Sequence, residues 1–119
     1  QTMSTLAVGT IKSASSAAPV FQNSSGTEIG QLVFAYGNIE TSGTASIAQS
    51  FNISSVTEQN GDHYTLAFAR SAANSNYAIA CDVQTETNHF TRDHTSSQFD
   101  FRTGGGLSSE NFSFIVFGD

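Results

Sequence analysis

The amino-acid sequence predicts an all-β domain: an antiparallel β-sandwich of about six to eight strands with Greek-key or meander connections. Two patterns favour this fold. Apolar and polar residues alternate along several short runs, and turn-forming residues separate these runs about every 8–12 positions. In addition, no stretch shows the sustained 3.6-residue apolar stripe of an amphipathic helix. A closed barrel is the alternative architecture, because alternating strands also build barrels.

Composition narrows the possible functions. The chain has 119 residues, enough for one ordinary domain, with ten Phe and no Trp. We therefore expect a core filled by Phe side chains on strands. The net charge is −6 and only four residues are Lys or Arg, which argues against binding to nucleic acid or to an anionic membrane surface. No apolar run approaches the roughly 20 residues of a membrane-spanning helix.

Residues 1–30 differ from the rest of the chain, because they are mostly small and polar. We expect an extended segment with short strands at Leu6–Lys12 and Val20–Gln22. It carries too few large apolar side chains to offset its own ordering entropy, so it should pack on the domain behind it or on neighbouring subunits. The chain begins at Gln1 without a signal-peptide pattern, and we expect a fragment or a processed product. Residues 31–119 should form the sandwich.

The strongest local signal is a β-hairpin within Phe51–Phe68. Asn60-Gly61 is the sequence typical of a type I′ turn, because both residues tolerate positive φ. After this turn, large apolar residues alternate with small or polar ones, as in a half-buried strand. The large residues are Tyr64, Leu66 and Phe68.

The strand before the turn is expected to place Ile47, Phe51 and Ile53 on one face, because they share one parity. Ser54-Ser55 interrupts the alternation between Ile53 and Val56 and predicts a β-bulge or bend.

Four further strands are expected around a long polar connection. Gln84–Gln98 is the longest polar stretch and is predicted to be a loop. Cys81 shares its parity with apolar neighbours and should point into the core as a small hydrophobe. The other expected strands are Gln31–Ile39, Tyr77–Val83, the run from Phe99 to Arg102, and Phe112–Phe117.

The last strand, Phe112–Phe117, is apolar on both faces, since Ile115 and Phe117 lie opposite the parity of Phe112, Phe114 and Val116. Sandwich strands usually keep one face in water. We therefore expect a partner subunit to cover the second face.

The polar loop offers the best candidates for ligand binding. An aromatic ring, a guanidinium, a carboxylate, an amide and two imidazoles occur within seven positions, a mixture that suits a sugar or a protein epitope. The candidate residues are Asn88, His89, Phe90, Arg92, Asp93 and His94.

Other chemistry is not indicated by the residues. The spacing of His89 and His94 is no recognised metal-ligand motif, so we expect no metal and no cofactor. The chain has no G-x-S-x-G elbow, and Gly104-Gly105-Gly106 lacks the flanking Lys of a phosphate loop. We expect a binding protein and not an enzyme.

Several segments in chain order share a pattern with a known family. They are GTIKS (Gly9–Ser13), PVFQNSSGTEIGQL (Pro19–Leu32), SFNISSVT (Ser50–Thr57), GDHYTLAF (Gly61–Phe68), ANSNYAIA (Ala73–Ala80) and FSFIVFGD (Phe112–Asp119). Together they resemble the C-terminal domain of bacteriophage tail-fibre proteins, of the kind found in short-tailed and marine phages. Where that family tends to have Arg-Ala-Trp, this chain has Phe34-Ala35-Tyr36. Because Asn88–His94 matches nothing in the family, no binding residue can be carried over.

The resemblance implies a homotrimeric, non-enzymatic sandwich at the distal end of a virion fibre, with residues 1–30 leading from the fibre shaft. It further implies that the fibre ends at Gly118-Asp119. The expected partners are two further copies of the chain and a host cell-surface polysaccharide or outer-membrane protein, without membrane insertion. Three alternatives remain open. They are a purely structural trimerising virion domain (fibre, nozzle or capsid decoration), a secreted lectin-like sandwich, and a depolymerase.

Overall fold

The computed structural model describes residues 4–84, 88–104 and 111–118. The chain divides into two compact units, Gln1–Gly30 and Gln31–Asp119. Within the described ranges there are ten β-strands, all paired antiparallel, and no helix. The all-β prediction is confirmed. Accordingly, no membrane-spanning helix occurs in the described part of the chain.

The first unit contains one small hairpin, formed by β1 (Phe21–Gln22) and β2 (Glu28–Gly30). Its turn is closed by the side chain of Asn23, whose Oδ1 accepts hydrogen bonds from the backbone N–H groups of Ser25 and Thr27 at 2.9 and 3.0 Å. Such side-chain acceptance is the reason that Asn favours turns. β1 agrees with the strand expected at Val20–Gln22.

The prediction of a strand at Leu6–Lys12 is wrong, because these residues form no regular structure. A strand requires a hydrogen-bonded neighbour, and among the described residues β1 and β2 pair only with each other. No residue in 4–30 is buried, and Leu6, Val8 and Ile11 are all exposed. The segment is therefore as poor in packing as its composition indicates.

The second unit is a sandwich of two four-stranded antiparallel sheets, here called sheet I and sheet II. Sheet I has the order β4 (Ser46–Phe51), β3 (Ala35–Glu40), β10 (Phe112–Phe117), β7 (Ala78–Val83). Sheet II has the order β5 (Ile53–Asn60), β6 (His63–Phe68), β9 (Gln98–Thr103), β8 (His89–Arg92). Four connections pass from one sheet to the other, those following β4, β6, β7 and β9. The chain is therefore not a simple meander.

Phenylalanine fills the space between the sheets. The Phe101 ring of β9 stacks on Phe112 of β10 at 4.0 Å between centroids, and Phe99 meets Phe114 edge-to-face at 5.1 Å. Both geometries are favourable for aromatic pairs. Cys81 packs against this core from sheet I, as expected from its parity. The core residues are Phe34, Ala35, Ile39, Ile53, Tyr64, Leu66, Phe68, Ala72, Tyr77, Val83, Phe99, Phe101, Phe112, Phe114 and Val116.

The chain changes sheets at Asn52, a left-handed residue with φ of 58°. Asn is one of the few residues that adopts this conformation readily. Its Oδ1 accepts a hydrogen bond from the backbone N–H of Arg70 at 2.6 Å, and its Nδ2 donates to the carbonyl oxygens of Phe34 and Arg70, both at 3.2 Å. One side chain thus ties three segments together at the corner.

The expectation that Ile47, Phe51 and Ile53 share one face is wrong. Ile53 is buried and Ile47 packs against the core, but Phe51 is 49% exposed. The pairing of β3 with β4 shifts register between Asn38 and Ile39, which breaks the period of two. Parity therefore cannot be extrapolated along this run.

The hairpin of β5 and β6 is confirmed, and so is the bulge at Ser54-Ser55, where the register shifts. The turn lies one residue later than expected. Asn60 pairs with His63, so Gly61 and Asp62 form the loop, and Asn60 is not among the described non-glycine residues with positive φ. Asn60 acts through its side chain instead, because Oδ1 accepts a hydrogen bond from the Asp62 N–H at 3.1 Å.

The expected loop Gln84–Gln98 is corrected by β8, the edge strand of sheet II. Phe90 pairs with Arg102 of β9, and Arg92 pairs with Asp100. The segment is polar because an edge strand has solvent on its outer face and along one side. Polarity here indicated exposure and not irregular structure.

Candidate ligand-binding face

Strand β8 separates the candidate residues by parity. Phe90 and Arg92 are exposed on the outer face of sheet II, whereas His89 and Thr91 are half-buried on the inner side. The Phe90 side chain is 47% exposed. The structure therefore brings Phe90 and Arg92 together and turns His89 away from them.

Both candidate histidines take part in packing. The His89 ring stacks on Phe101 at 6.0 Å, and its Nε2 lies 3.3 Å from the carbonyl oxygen of Cys81 in sheet I. The His94 ring stacks on Tyr77 at 5.1 Å, and its Nε2 lies 3.0 Å from Thr91 Oγ1. These contacts give the two imidazoles a role at the edge of the core.

Asn88 and Asp93 flank β8 and are exposed. The carbonyl oxygen of Asn88 accepts a hydrogen bond from the Gly104 N–H at 2.7 Å, which extends the pairing of β8 with β9. Asp93 is left-handed, with φ of 53°, and its Oδ2 lies 3.1 Å from Arg92 Nε. Asp93 ends the strand and neutralises part of the Arg92 charge.

The strand register adds four residues to the outer face beyond those that the sequence pattern indicated. His63 and Phe90 both pair with Arg102, and Thr65 and Arg92 both pair with Asp100. Two rows of side chains therefore cross sheet II. We define the ligand face as the residues of these rows together with Asp93: His63, Arg102, Phe90, Thr65, Asp100, Arg92 and Asp93.

Asp100 connects two other residues of the ligand face through its carboxylate. Its Oδ2 lies 2.9 Å from His63 Nε2, and its Oδ1 accepts a hydrogen bond from Thr65 Oγ1 at 2.9 Å. Burial by itself would raise the pKa of Asp100, but the hydrogen bonds from His63 and Thr65 outweigh it and hold that pKa below its ordinary value. A smaller lowering comes from Asp93. Both oxygens of the Asp100 carboxylate are therefore hydrogen-bonded within sheet II.

Arg102 is in the opposite situation. Its Nε is buried and has no hydrogen-bond partner, the one such side-chain atom found in the described ranges. Buried donors are normally paired, and an unpaired one calls for an explanation. Arg102 lies between Phe90 and His63 in its row.

The outer face of sheet I has a different chemistry. Tyr36 and Phe51 stack at 6.4 Å between ring centroids, and Ile115, on the strand next to Tyr36, is 45% exposed. Phe117, further along the same strand, is 46% exposed. These four residues are here called the apolar face. Three of them, Tyr36, Ile115 and Phe117, line an open concavity of about 520 Å³. The expectation that β10 carries apolar residues on both faces is thereby confirmed.

Metal and thiol chemistry gain no support from the geometry. The residues that the structure describes contain no group of three or more His, Cys, Asp or Glu able to hold a metal ion. Burial, with a smaller contribution from Asp82, raises the pKa of the Cys81 thiol. This shift disfavours the thiolate that a nucleophile requires.

Comparisons with protein-family models, with curated proteins and with solved structures each return no match for this chain.

Proposed function

We propose that this chain is a non-enzymatic recognition domain at the distal end of a bacteriophage tail fibre, and that it binds a host cell-surface glycan through the ligand face. The phage assignment rests on the family resemblance of the sequence segments. The observation that carries the binding site is the exposed Phe90 ring beside Arg92 and Arg102 on a paired strand.

A sugar suits this arrangement for two reasons. Its C–H face packs on an exposed aromatic ring, and its hydroxyl groups need donors and acceptors held in fixed directions. Phe90 supplies the ring, while Arg92 and Arg102 supply hydrogen-bond donors. Because backbone pairing with β9 fixes β8, these groups are positioned before the ligand arrives, which lowers the entropic cost of binding.

The His63–Asp100 pair is assigned a supporting role and not a catalytic one. Both carboxylate oxygens of Asp100 already have partners within sheet II. The pair therefore orients the face on which the ligand binds.

The apolar face supports assembly into a homotrimer. Phe51 stacks on Tyr36, which pairs with Ile115, and Ile115 and Phe117 are about half exposed on one strand. Exposed apolar surface of this kind marks contacts with other molecules. Threefold symmetry is proposed from the family resemblance. Three weak sites on one rigid tip would bind a repeating surface polysaccharide much more tightly than one site, because the later contacts are intramolecular.

Binding is tested with the purified domain on a glycan array and in competition with phage adsorption. We expect Phe90→Ala and Arg92→Ala each to weaken binding on the order of tenfold, because each removes a direct contact. Stability should change by no more than about 0.5 kcal/mol, since both side chains are exposed. Phe21→Ala is the matched control, because Phe21 is a comparably exposed phenylalanine outside the sandwich.

Two results would redirect the proposal. Full binding by both β8 variants would move the site away from the ligand face. A trimer that binds no glycan and does not compete with adsorption would favour a structural virion domain, the alternative that the apolar face also supports.

A further inference from the structure

Arg102 carries a charge that the described part of the protein does not neutralise. No ion pair or hydrogen bond to its guanidinium is found within residues 4–84, 88–104 and 111–118, and its Nε is buried without a partner. A buried N–H of a guanidinium without an acceptor is costly. The Nε is closed to a ligand, but the Nη groups are not among the buried unpaired atoms and can meet an acceptor that a ligand brings.

The neighbouring carboxylates are already engaged. Asp100 contacts His63 and Thr65, both at 2.9 Å, and Asp93 contacts Arg92 at 3.1 Å. Arg102 is therefore the unpaired cation on a face whose acids are used internally, in a chain with a net charge of −6. The two Asp and two Arg of the ligand face cancel in formal charge, and only Arg102 among them has no ion pair or hydrogen bond in the described residues.

From this arrangement we propose that the glycan bound on the ligand face carries a carboxylate, as uronic and sialic acids do, and that Arg102 binds this group. The inference rests on the proposed function. A planar guanidinium matches a carboxylate with two parallel hydrogen bonds, which are stronger than bonds between neutral groups. Phe90, which pairs directly with Arg102 across the strands, would pack against the sugar ring while Arg102 holds the acid.

The test measures binding of the purified domain to neutral and carboxylate-bearing glycans side by side. The probes are polygalacturonate, alginate and sialylated oligosaccharides, each with a counterpart whose carboxyl groups are reduced to alcohols, together with neutral galactans and glucans. Arg102→Gln removes both the positive charge and the planar guanidinium. Arg102→Lys keeps the charge but not the paired hydrogen-bond donors. Lys12→Gln removes one positive charge from the first unit and controls for net charge.

The expected result is binding to a carboxylate-bearing probe that falls at least tenfold on carboxyl reduction and on Arg102→Gln. Arg102→Lys should retain part of the affinity, and Lys12→Gln should retain all of it. Equal binding to neutral or reduced probes would overturn the carboxylate inference and leave glycan recognition intact. No binding to any glycan would overturn both. If Arg102→Gln does not fold, the reduced probes and the Lys variant still decide.

Discussion

The two outer faces of the sandwich differ in chemistry although the two sheets share one core. On sheet I, Tyr36, Phe51, Ile115 and Phe117 leave aromatic and aliphatic surface in contact with water. On sheet II, polar and charged groups surround a single exposed ring, that of Phe90. Covering apolar surface is favourable by roughly 25 cal/mol per Å². Hydrogen-bonding groups instead make the binding of a ligand specific. This difference is the reason for proposing assembly through sheet I and recognition through sheet II.

The largest expected effect is the loss of assembly when charge enters the apolar face. Ile115→Glu should convert the proposed trimer into a monomer, because a carboxylate buried at the interface would lack a partner. Light scattering measures the change. Thr57→Glu adds the same charge to an exposed position on sheet II and should leave the trimer intact. A wild-type monomer, or a trimer that tolerates Ile115→Glu, would remove the distinction between the faces.

The core between the two sheets is tightly packed, and a substitution on the inner face of sheet I tests this packing. Gly37 lies beneath Phe114, and a Cβ there would lie 2.6 Å from the ring Cζ. Because Phe114 is buried, its ring has little room to move, and Gly37→Ala should cost about 1–3 kcal/mol of unfolding free energy. Chemical denaturation measures the loss. Gly9→Ala is the control, since nothing lies within 4 Å of its added Cβ. Equal stability of the two variants would show that the core can adjust.

The contrast between the faces was only partly predictable from the sequence. The alternation in Phe112–Phe117 indicated which residues fill the core and which remain outside, because the period of a strand is a local property. The hairpin before Phe68 and the bulge at Ser54-Ser55 were predicted for the same reason.

The ligand face depends on register between strands far apart in sequence. That Asp100 lies between Thr65 and Arg92 follows from two pairings that no local pattern specifies. The polar composition around His89 hid the edge strand. Alternation across Gln98–Thr103 does place Asp100 and Arg102 on one side, a signal that could have added them to the candidates.

The smallest expected effect concerns Asp100, whose carboxylate contacts His63 and Thr65 on the ligand face. The pKa of Asp100 is lowered in the folded protein, because hydrogen bonds from His63 and Thr65 outweigh its burial. Its ionised form therefore adds stability above the ordinary carboxyl pKa of 3.8, and this stability is lost as the pH falls through the lower folded value. Asp100→Asn should cost on the order of 1 kcal/mol at pH 5.

The Asp100→Asn deficit should shrink toward pH 2.5, as measured by denaturant midpoints. The other charged neighbours, Arg92 and Asp93, remain in place in the variant, and Glu58→Gln on a neighbouring strand controls for the lost negative charge. A deficit that stays constant from pH 5 to pH 2.5 would mean that the Asp100 charge contributes nothing. The contrast between the faces would then rest on the apolar side alone.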